Sequence, residues 1–392
     1  MDLETTYGAH NYHPIPVVIS KAKGVFVWDP EGKKYIDMLS CYSALNQGHR
    51  HPKIIKAAKK QLELVTLTSR AFHNNKLGPF LKKLTKVTGM EMALPMNTGA
   101  EAVETGIKVA RRWAYTKKMV PEGQAEIIVC ANNFHGRTTT IVGFSSDEDS
   151  RTGFGPFTPG FKVIPYNDVP TLEAAITPNT AAFLVEAIQG EAGVIVPSEG
   201  YLKQVREICT KNNVLLMLDE IQTGFCRTGK MFCFQHEGIK PDILLVAKAL
   251  GGGIMPISAV LTSKEIMSVF TPGSHGSTFG GNPLACAIGI AALDVLIDEK
   301  LDKRATKHGA YFMKRLKEMK NPLIKEVRGK GLLIAIELTK DAGPARKYTE
   351  ALMRNGLLAK ETHDTTIRFA PPLIIKKEEI DKAIDIIKKT IK

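Results

Sequence analysis

Four short, unbroken apolar runs, each stopping at a chemically loaded residue, set the limits on this fold. Residues 214–218 (VLLML) end at Asp219, and residues 243–247 (ILLVA) end at Lys248. Residues 127–131 (IIVCA) lead into Phe134-His135-Gly136-Arg137, and residues 181–185 (AAFLV) lead into Glu186 and Glu191. Continuous apolar runs of this length fit strands buried on both faces, as in a parallel sheet covered by helices. In such sheets the ligand crevice lies outside the carboxyl ends of the strands. An acid, a lysine, an arginine and a second acid are therefore delivered to one rim.

From about 125 to 262 the runs alternate with helical segments such as 200–212, the pattern of a doubly wound α/β unit. Residues 24–37 read as two strands around an Asp-Pro-Glu-Gly turn, and 52–65 and 76–88 carry helical spacing. Residues 97–116 read as a loop opening a helix, and 283–297 as a long apolar helix leaving the unit. The last hundred residues place strands at 332–338 and 367–369 between helices. The final segment puts Ile380, Ala383, Ile384, Ile387 and Ile391 on one helix face. The expected class is α/β, a large doubly wound, mainly parallel-sheet domain (46–290) with a smaller α+β domain (291–392). Residues 1–45 are expected to join the smaller one.

The chain has 392 residues, a formal charge of +13 and six cysteines. None of the cysteines forms a CxxC pair, which argues against a metal cluster or a disulfide framework. His49 and His51 lack an acid or cysteine at ligand spacing and read as loop polarity, so no metal is expected. The lysines are spread along the chain without interleaved aromatics, which argues against nucleic-acid binding. The charge fits attraction of dicarboxylate substrates instead. No apolar stretch approaches the roughly 20 residues of a membrane helix. With no secretory layout at the start, the expected location is the cytoplasm, with no membrane partner.

Lys248, taken alone, is an ordinary strand-end cation. A lysine beside a buried sheet edge can instead lose its proton by desolvation and condense with an aldehyde. Asp219 is either a helix N-cap or the acid that pyridoxal phosphate requires opposite its ring nitrogen. Thr98-Gly99-Ala100-Glu101 opens a helix whose free N–H groups suit phosphate, or is simply a capped helix. The loop Ser277-Thr278-Phe279-Gly280-Gly281-Asn282 offers a second phosphate site. No GxGxxG or GxxxxGK[ST] fingerprint is present, so dinucleotide and triphosphate readings lose support.

The ordered motifs YGAHNYHP (7–14), SCYSALNQGHRHP (40–52), LPMNTGAEA (94–102), NNFHGRT (132–138), QGEAGVIVP (189–197), LDEIQTGFCRTG (218–229), KALGGG (248–253), HGSTFGGNPL (275–284) and IRFAPPL (367–373) resemble the subgroup-III, fold-type I aminotransferases that use pyridoxal 5'-phosphate. Within them the resemblance is to the branch that acts on ornithine and 2-oxoglutarate. It implies Lys248 as the lysine that carries the cofactor and shuttles the proton. It implies Asp219 as partner of the ring nitrogen, Gln222 as donor to the ring 3-oxygen, and Phe134 as the aromatic on the ring. Gly99 and Ala100 would serve phosphate, with Thr278 reaching it from a neighbouring subunit, which implies a homodimer with the site at its interface. Arg137 would clamp the ornithine carboxylate, Tyr12 would meet its α-amino group, and Tyr42 would shape the pocket. Glu191 and Arg368 would form a switchable ion pair, although a structural salt bridge fits the same spacing. Acetylornithine and 4-aminobutyrate aminotransferases are the alternatives inside the family, and a basic, non-catalytic binding protein is the remote one. Two departures from the pattern are Ala187, where proline often stands, and His135, where some relatives carry an aromatic.

Overall fold

Alternate residues of the apolar runs face opposite sides of one sheet, and both sides are buried. Ile128, Phe183, Val185, Leu216, Leu218, Leu244 and Val246 belong to one core. Their neighbours Ile127, Val129, Leu184, Leu215, Met217, Ile243 and Leu245 belong to a second. The structure is a computed structural model describing residues 1–392. The sheet comprises β1 (Met92–Met96), β2 (Glu126–Cys130), β3 (Phe161–Ile164), β4 (Thr180–Glu186), β5 (Leu215–Asp219), β6 (Ile243–Val246) and β7 (Ser258–Thr262). Its order is β1-β7-β6-β5-β4-β2-β3. Strands β2 to β6 pair in parallel, and β7 runs antiparallel to both of its neighbours.

Helix Gly99–Thr116 covers the second core with Ala102, Val103, Ile107 and Ala110. On the opposite face the apolar helix Pro283–Asp298 packs on helices Pro52–Leu62 and Leu77–Thr88. Loops therefore leave the carboxyl ends of the strands between two helical layers, and the loaded residues sit in those loops.

A smaller antiparallel sheet follows: β8 (Ile324–Lys330), β9 (Leu333–Leu338), β10 (Lys360–Thr362) and β11 (Thr366–Phe369), ordered β8-β9-β11-β10. Helix Lys377–Thr390 buries Ile380, Ala383, Ile384 and Ile387, the face read from the sequence. The N-terminal hairpin forms, with Trp28 opposite Lys34, and Leu357–Leu358 joins it in parallel beside Lys34–Asp37. Residues 1–14 are exposed, and helix Asp2–Tyr7 buries nothing.

The large and small sheets meet at a joint without spare space. Arg227, wholly buried, donates to the carbonyls of Leu332 and Pro371 and to Asn46 Oδ1 (3.0, 2.6 and 2.6 Å). A Cβ at Gly309 would land on the Gly331 backbone, so helix Leu301–Lys317 seats against that turn only through glycine. No helix is long and apolar enough to cross a membrane.

Candidate active site

The strand ends surround a cavity of about 640 Å³. Thr98, Gly99, Ala100, Phe134, Asp219, Gln222 and Lys248 all line it. Each arrives there by chain geometry. Thr98 follows β1, Phe134 follows β2, Asp219 ends β5, and Lys248 lies two residues beyond β6.

Thr98 caps helix Gly99–Thr116: its hydroxyl accepts the Glu101 N–H, and Glu101 reciprocates at the Thr98 N–H. The capping box and the ligand site coexist here. Capping occupies Thr98 and Glu101 and leaves the first-turn N–H groups of Gly99 and Ala100 free to meet an anion. Phe134 is 37% exposed, which separates it from ordinary core packing and leaves a ring face to the cavity.

Asp219 is buried, and both of its oxygens are engaged. Oδ1 accepts the Ile221 N–H (2.9 Å), and Oδ2 pairs with His135 Nδ1 (2.7 Å). A carboxylate offers about four acceptor sites, so two remain, enough for a ring N–H. Directly across the β4–β5 pairing lies a second buried acid, Glu186. It accepts the Phe134 and Gly190 N–H groups (3.1 and 3.3 Å). Burial pushes its pKa up to about 7, with Asp219 adding to the rise and His135 opposing it. Desolvation, aided by Arg368, lowers the Lys248 pKa against the pull of Glu191, Asp219 and Glu186. Lys248 also sits at φ 46°, a left-handed conformation that costs a non-glycine residue about 1 kcal/mol.

A second group closes one side. Arg368 Nη1 donates to Glu191 Oε1 at 2.7 Å and to Gln222 Oε1 at 3.2 Å, and Gln222 Nε2 donates to Glu191 Oε1 at 3.0 Å. Gly190 permits this closeness, because a Cβ there would collide with the Gln222 amide. The Arg368 guanidinium stands 4.9 Å from the Tyr42 ring centre. Tyr42 reaches it from four consecutive left-handed residues, Ser40 to Ser43 (φ 51, 47, 61 and 72°). Asp37 anchors that turn by accepting the Leu39 and Ser40 N–H groups, and His49 holds its other oxygen at 2.7 Å. His51 pairs with Glu299 instead.

Arg137 lies exposed at the mouth, 5.6 Å from the Tyr12 ring centre and 5.8 Å from that of Phe134. It forms no ion pair. A second, smaller cavity of about 510 Å³ joins Arg137, Phe134 and Glu191. Ser277 and Thr278 do not line the main cavity. Ser277 accepts from Asn97 Nδ2 at 2.9 Å, and Asn97 does line it, whereas Thr278 is exposed. Sequence reasoning missed the His135–Asp219 bond, the Glu186–Asp219 register and the left-handed turn. Only His135 carried a signal, as a departure placed beside Phe134.

This lining fits pyridoxal 5'-phosphate. A helix N-terminus with two free N–H groups, a buried acid with a spare acceptor site, an exposed aromatic face and a desolvated lysine surround one cavity. A family model described as aminotransferase class-III matches residues 7–391. An ornithine aminotransferase of Brevibacillus brevis is 66% identical over 385 residues, covering 98% of this chain and 96% of that protein. The ornithine aminotransferase of Toxoplasma gondii, whose active site is partially occupied by pyridoxal phosphate, superposes with a TM-score of 0.98 at 49% identity. That match covers 100% of this chain and 92% of the other. An acetylornithine aminotransferase from Elizabethkingia anophelis superposes with a TM-score of 0.92 at 56% identity, covering 100% and 97%. With a family match over almost its whole length and this cavity at its strand ends, the chain belongs to the class-III aminotransferases and is a pyridoxal-phosphate-dependent enzyme.

Proposed function

We propose that the enzyme transfers the δ-amino group of L-ornithine to 2-oxoglutarate. The products are glutamate and glutamate 5-semialdehyde, which cyclises to pyrroline-5-carboxylate. The observation that carries this reading is one masked arginine, Arg368 on Glu191, in a site that also holds one unpaired arginine, Arg137. Ornithine presents one carboxylate and 2-oxoglutarate presents two, so the site must offer one cation in the first half-reaction and two in the second.

With ornithine bound, Arg137 takes the α-carboxylate by a bidentate pair, Tyr12 meets the α-amino group, and Glu191 keeps Arg368 neutralised. With 2-oxoglutarate bound, Glu191 turns aside. Arg368 then holds the α-carboxylate and Arg137 the distal one. When bound, pyridoxal 5'-phosphate supplies an aldehyde that takes up an amine and a ring that draws off electrons. Gly99 and Ala100 would hold its phosphate, Asp219 its ring nitrogen, Gln222 its 3-oxygen and Phe134 its ring face. Lys248 Nζ would accept the proton of the donor's δ-carbon and pass it on to a different atom, a task that desolvation suits by favouring the neutral amine.

The working unit in this reading is a homodimer with the site at its interface. Exposed Leu67, Phe72 and Phe279 flank the Ser277–Thr278 loop, and segment 66–74 is tied to 281–284 by the Leu284 N–H donating to the Thr66 carbonyl and the Asn74 side-chain amide donating to the Gly281 carbonyl. Thr278 then reaches the phosphate of the partner site. Six unpaired cysteines suit a reducing cytoplasm.

The second reading, acetylornithine as donor, is favoured by the likeness to the Elizabethkingia enzyme. It leaves Tyr12 without a charged α-amino partner. The test offers ornithine, N-acetylornithine and 4-aminobutyrate as donors and traps pyrroline-5-carboxylate. Ornithine is expected to give the highest kcat/KM. A clear lead for acetylornithine replaces the first reading with the second.

A further inference from the structure

The loop after β2 is tied to both strand-end acids. Its Phe134 N–H donates to Glu186 Oε2 (3.1 Å), and the next side chain, His135, reaches Asp219 Oδ2 (2.7 Å). Asn133 fixes the loop from below through the Cys130 and Phe144 carbonyls (2.6 and 3.2 Å). His135 is 3% exposed, and its second nitrogen, Nε2, is buried without a partner beside the tilted Phe144 ring, 6.2 Å between ring centres. An ionised carboxylate only accepts hydrogen bonds, so Nδ1 carries the proton in this pair. The ring therefore has one polar task, and that task is to hold Asp219.

We propose that His135 is a positioning residue: its Nδ1–H fixes the Asp219 carboxylate in the orientation that meets the cofactor's ring nitrogen, while the same loop sets the Phe134 ring on the cavity. The inference rests on the cavity being the pyridoxal-phosphate site and not on which amine is the donor. The groups facing His135 are Asp219 on β5, Glu186 on β4, and the apolar Phe144 after the short helix Thr139–Gly143. Burial disfavours its charged form, yet the Asp219 hydrogen bond and the two carboxylates together lift its pKa above the usual value.

Two substitutions separate positioning from filling space. His135→Asn keeps a donor where Nδ1 stands and loses the ring. His135→Phe keeps the ring volume and loses the donor. The apo-proteins are titrated with pyridoxal 5'-phosphate, and kcat and KM for the amino donor are measured on the loaded forms. His135→Phe is expected to weaken cofactor binding about 10- to 100-fold, the range for removing a hydrogen bond to a buried charge. It should lower kcat with KM nearly unchanged, and His135→Asn should recover most of both losses. A His135→Phe protein that binds as the wild type does, or a His135→Asn protein no better than it, overturns the proposal. Nitrogen-15 spectra of histidine-labelled wild-type protein give an independent reading, in which an unprotonated Nδ1 also overturns it. If Asp219→Ala leaves cofactor affinity intact, the cavity assignment fails, and that result is distinct from a failure of His135 alone.

Discussion

Glu191 satisfies two groups with one carboxylate: the Arg368 guanidinium and the Gln222 amide both donate to it. Burial raises its pKa, but Arg368, Lys248 and Gln222 together outweigh that effect and the net shift is downward, so it stays ionised as a mask must. Replacing it frees Arg368 at all times. Glu191→Ala should improve ordinary α-amino donors relative to ornithine by about tenfold in kcat/KM. An unchanged donor ratio would show the pair to be structural. Glu186 makes a different prediction, through pH. Its folded pKa of about 7 lies above its ordinary 4.5. Below 4.5 the group is protonated in both folded and unfolded chains. Between 4.5 and about 7 the unfolded chain ionises it while the fold keeps it neutral, so stability falls across that window as pH rises. In the apo-protein, Glu186→Gln should remove roughly 2–3 kcal/mol of that fall. Its stability relative to the wild type, measured by denaturant titration, should climb from pH 5 to pH 8. A flat difference would mean that Glu186 stays ionised on its two N–H donors.

Among the elements, those legible in the sequence are the ones whose stabilising partners are generic. Strand β5 needed only apolar neighbours on both faces, and VLLML announces that. Helix Gly99–Thr116 announced its own cap, because a capping box is made from residues three apart. What stayed hidden depends on distant partners. Leu357–Leu358 is a strand only because Ile36 and Asp37 lie beside it, more than 300 residues away in sequence. The left-handed turn Ser40–Ser43 contains no glycine to advertise it and is held by Asp37 and His49. Helix Leu301–Lys317 gives the sharpest test at this scale. Intrinsic propensity says Gly309→Ala should gain about 1 kcal/mol. The Gly331 backbone occupies the space of the new methyl, and overpacking against main chain costs about 1–3 kcal/mol or more. The steric effect should win, so the substitution lowers the thermal midpoint. A raised midpoint would show the joint to be looser than described.

At the scale of the whole molecule, apolar surface is left uncovered. Leu3 and Tyr7 on the N-terminal arm, Leu62 to Leu67 after helix Pro52–Leu62, Phe72 and Phe279 are all exposed. Exposed apolar patches of this kind mark interaction surfaces. Sedimentation of the 43.0 kDa chain should give twice that mass, and Phe279→Asp should shift it toward the monomer with loss of cofactor affinity. A wild-type protein that sediments as one copy and remains active would rule out a shared site.

The buried Arg227 leads to a further point about modularity. Its acceptors come from Asn46, Leu332 and Pro371, so no single contiguous stretch of chain can satisfy its charge. A fragment ending after the long apolar helix would strand a guanidinium among hydrocarbons. The Leu332 and Pro371 carbonyls are main chain and travel with any C-terminal graft, so what a recipient must keep is the Arg227–Asn46 pair and a joint that brings those carbonyls within reach of it.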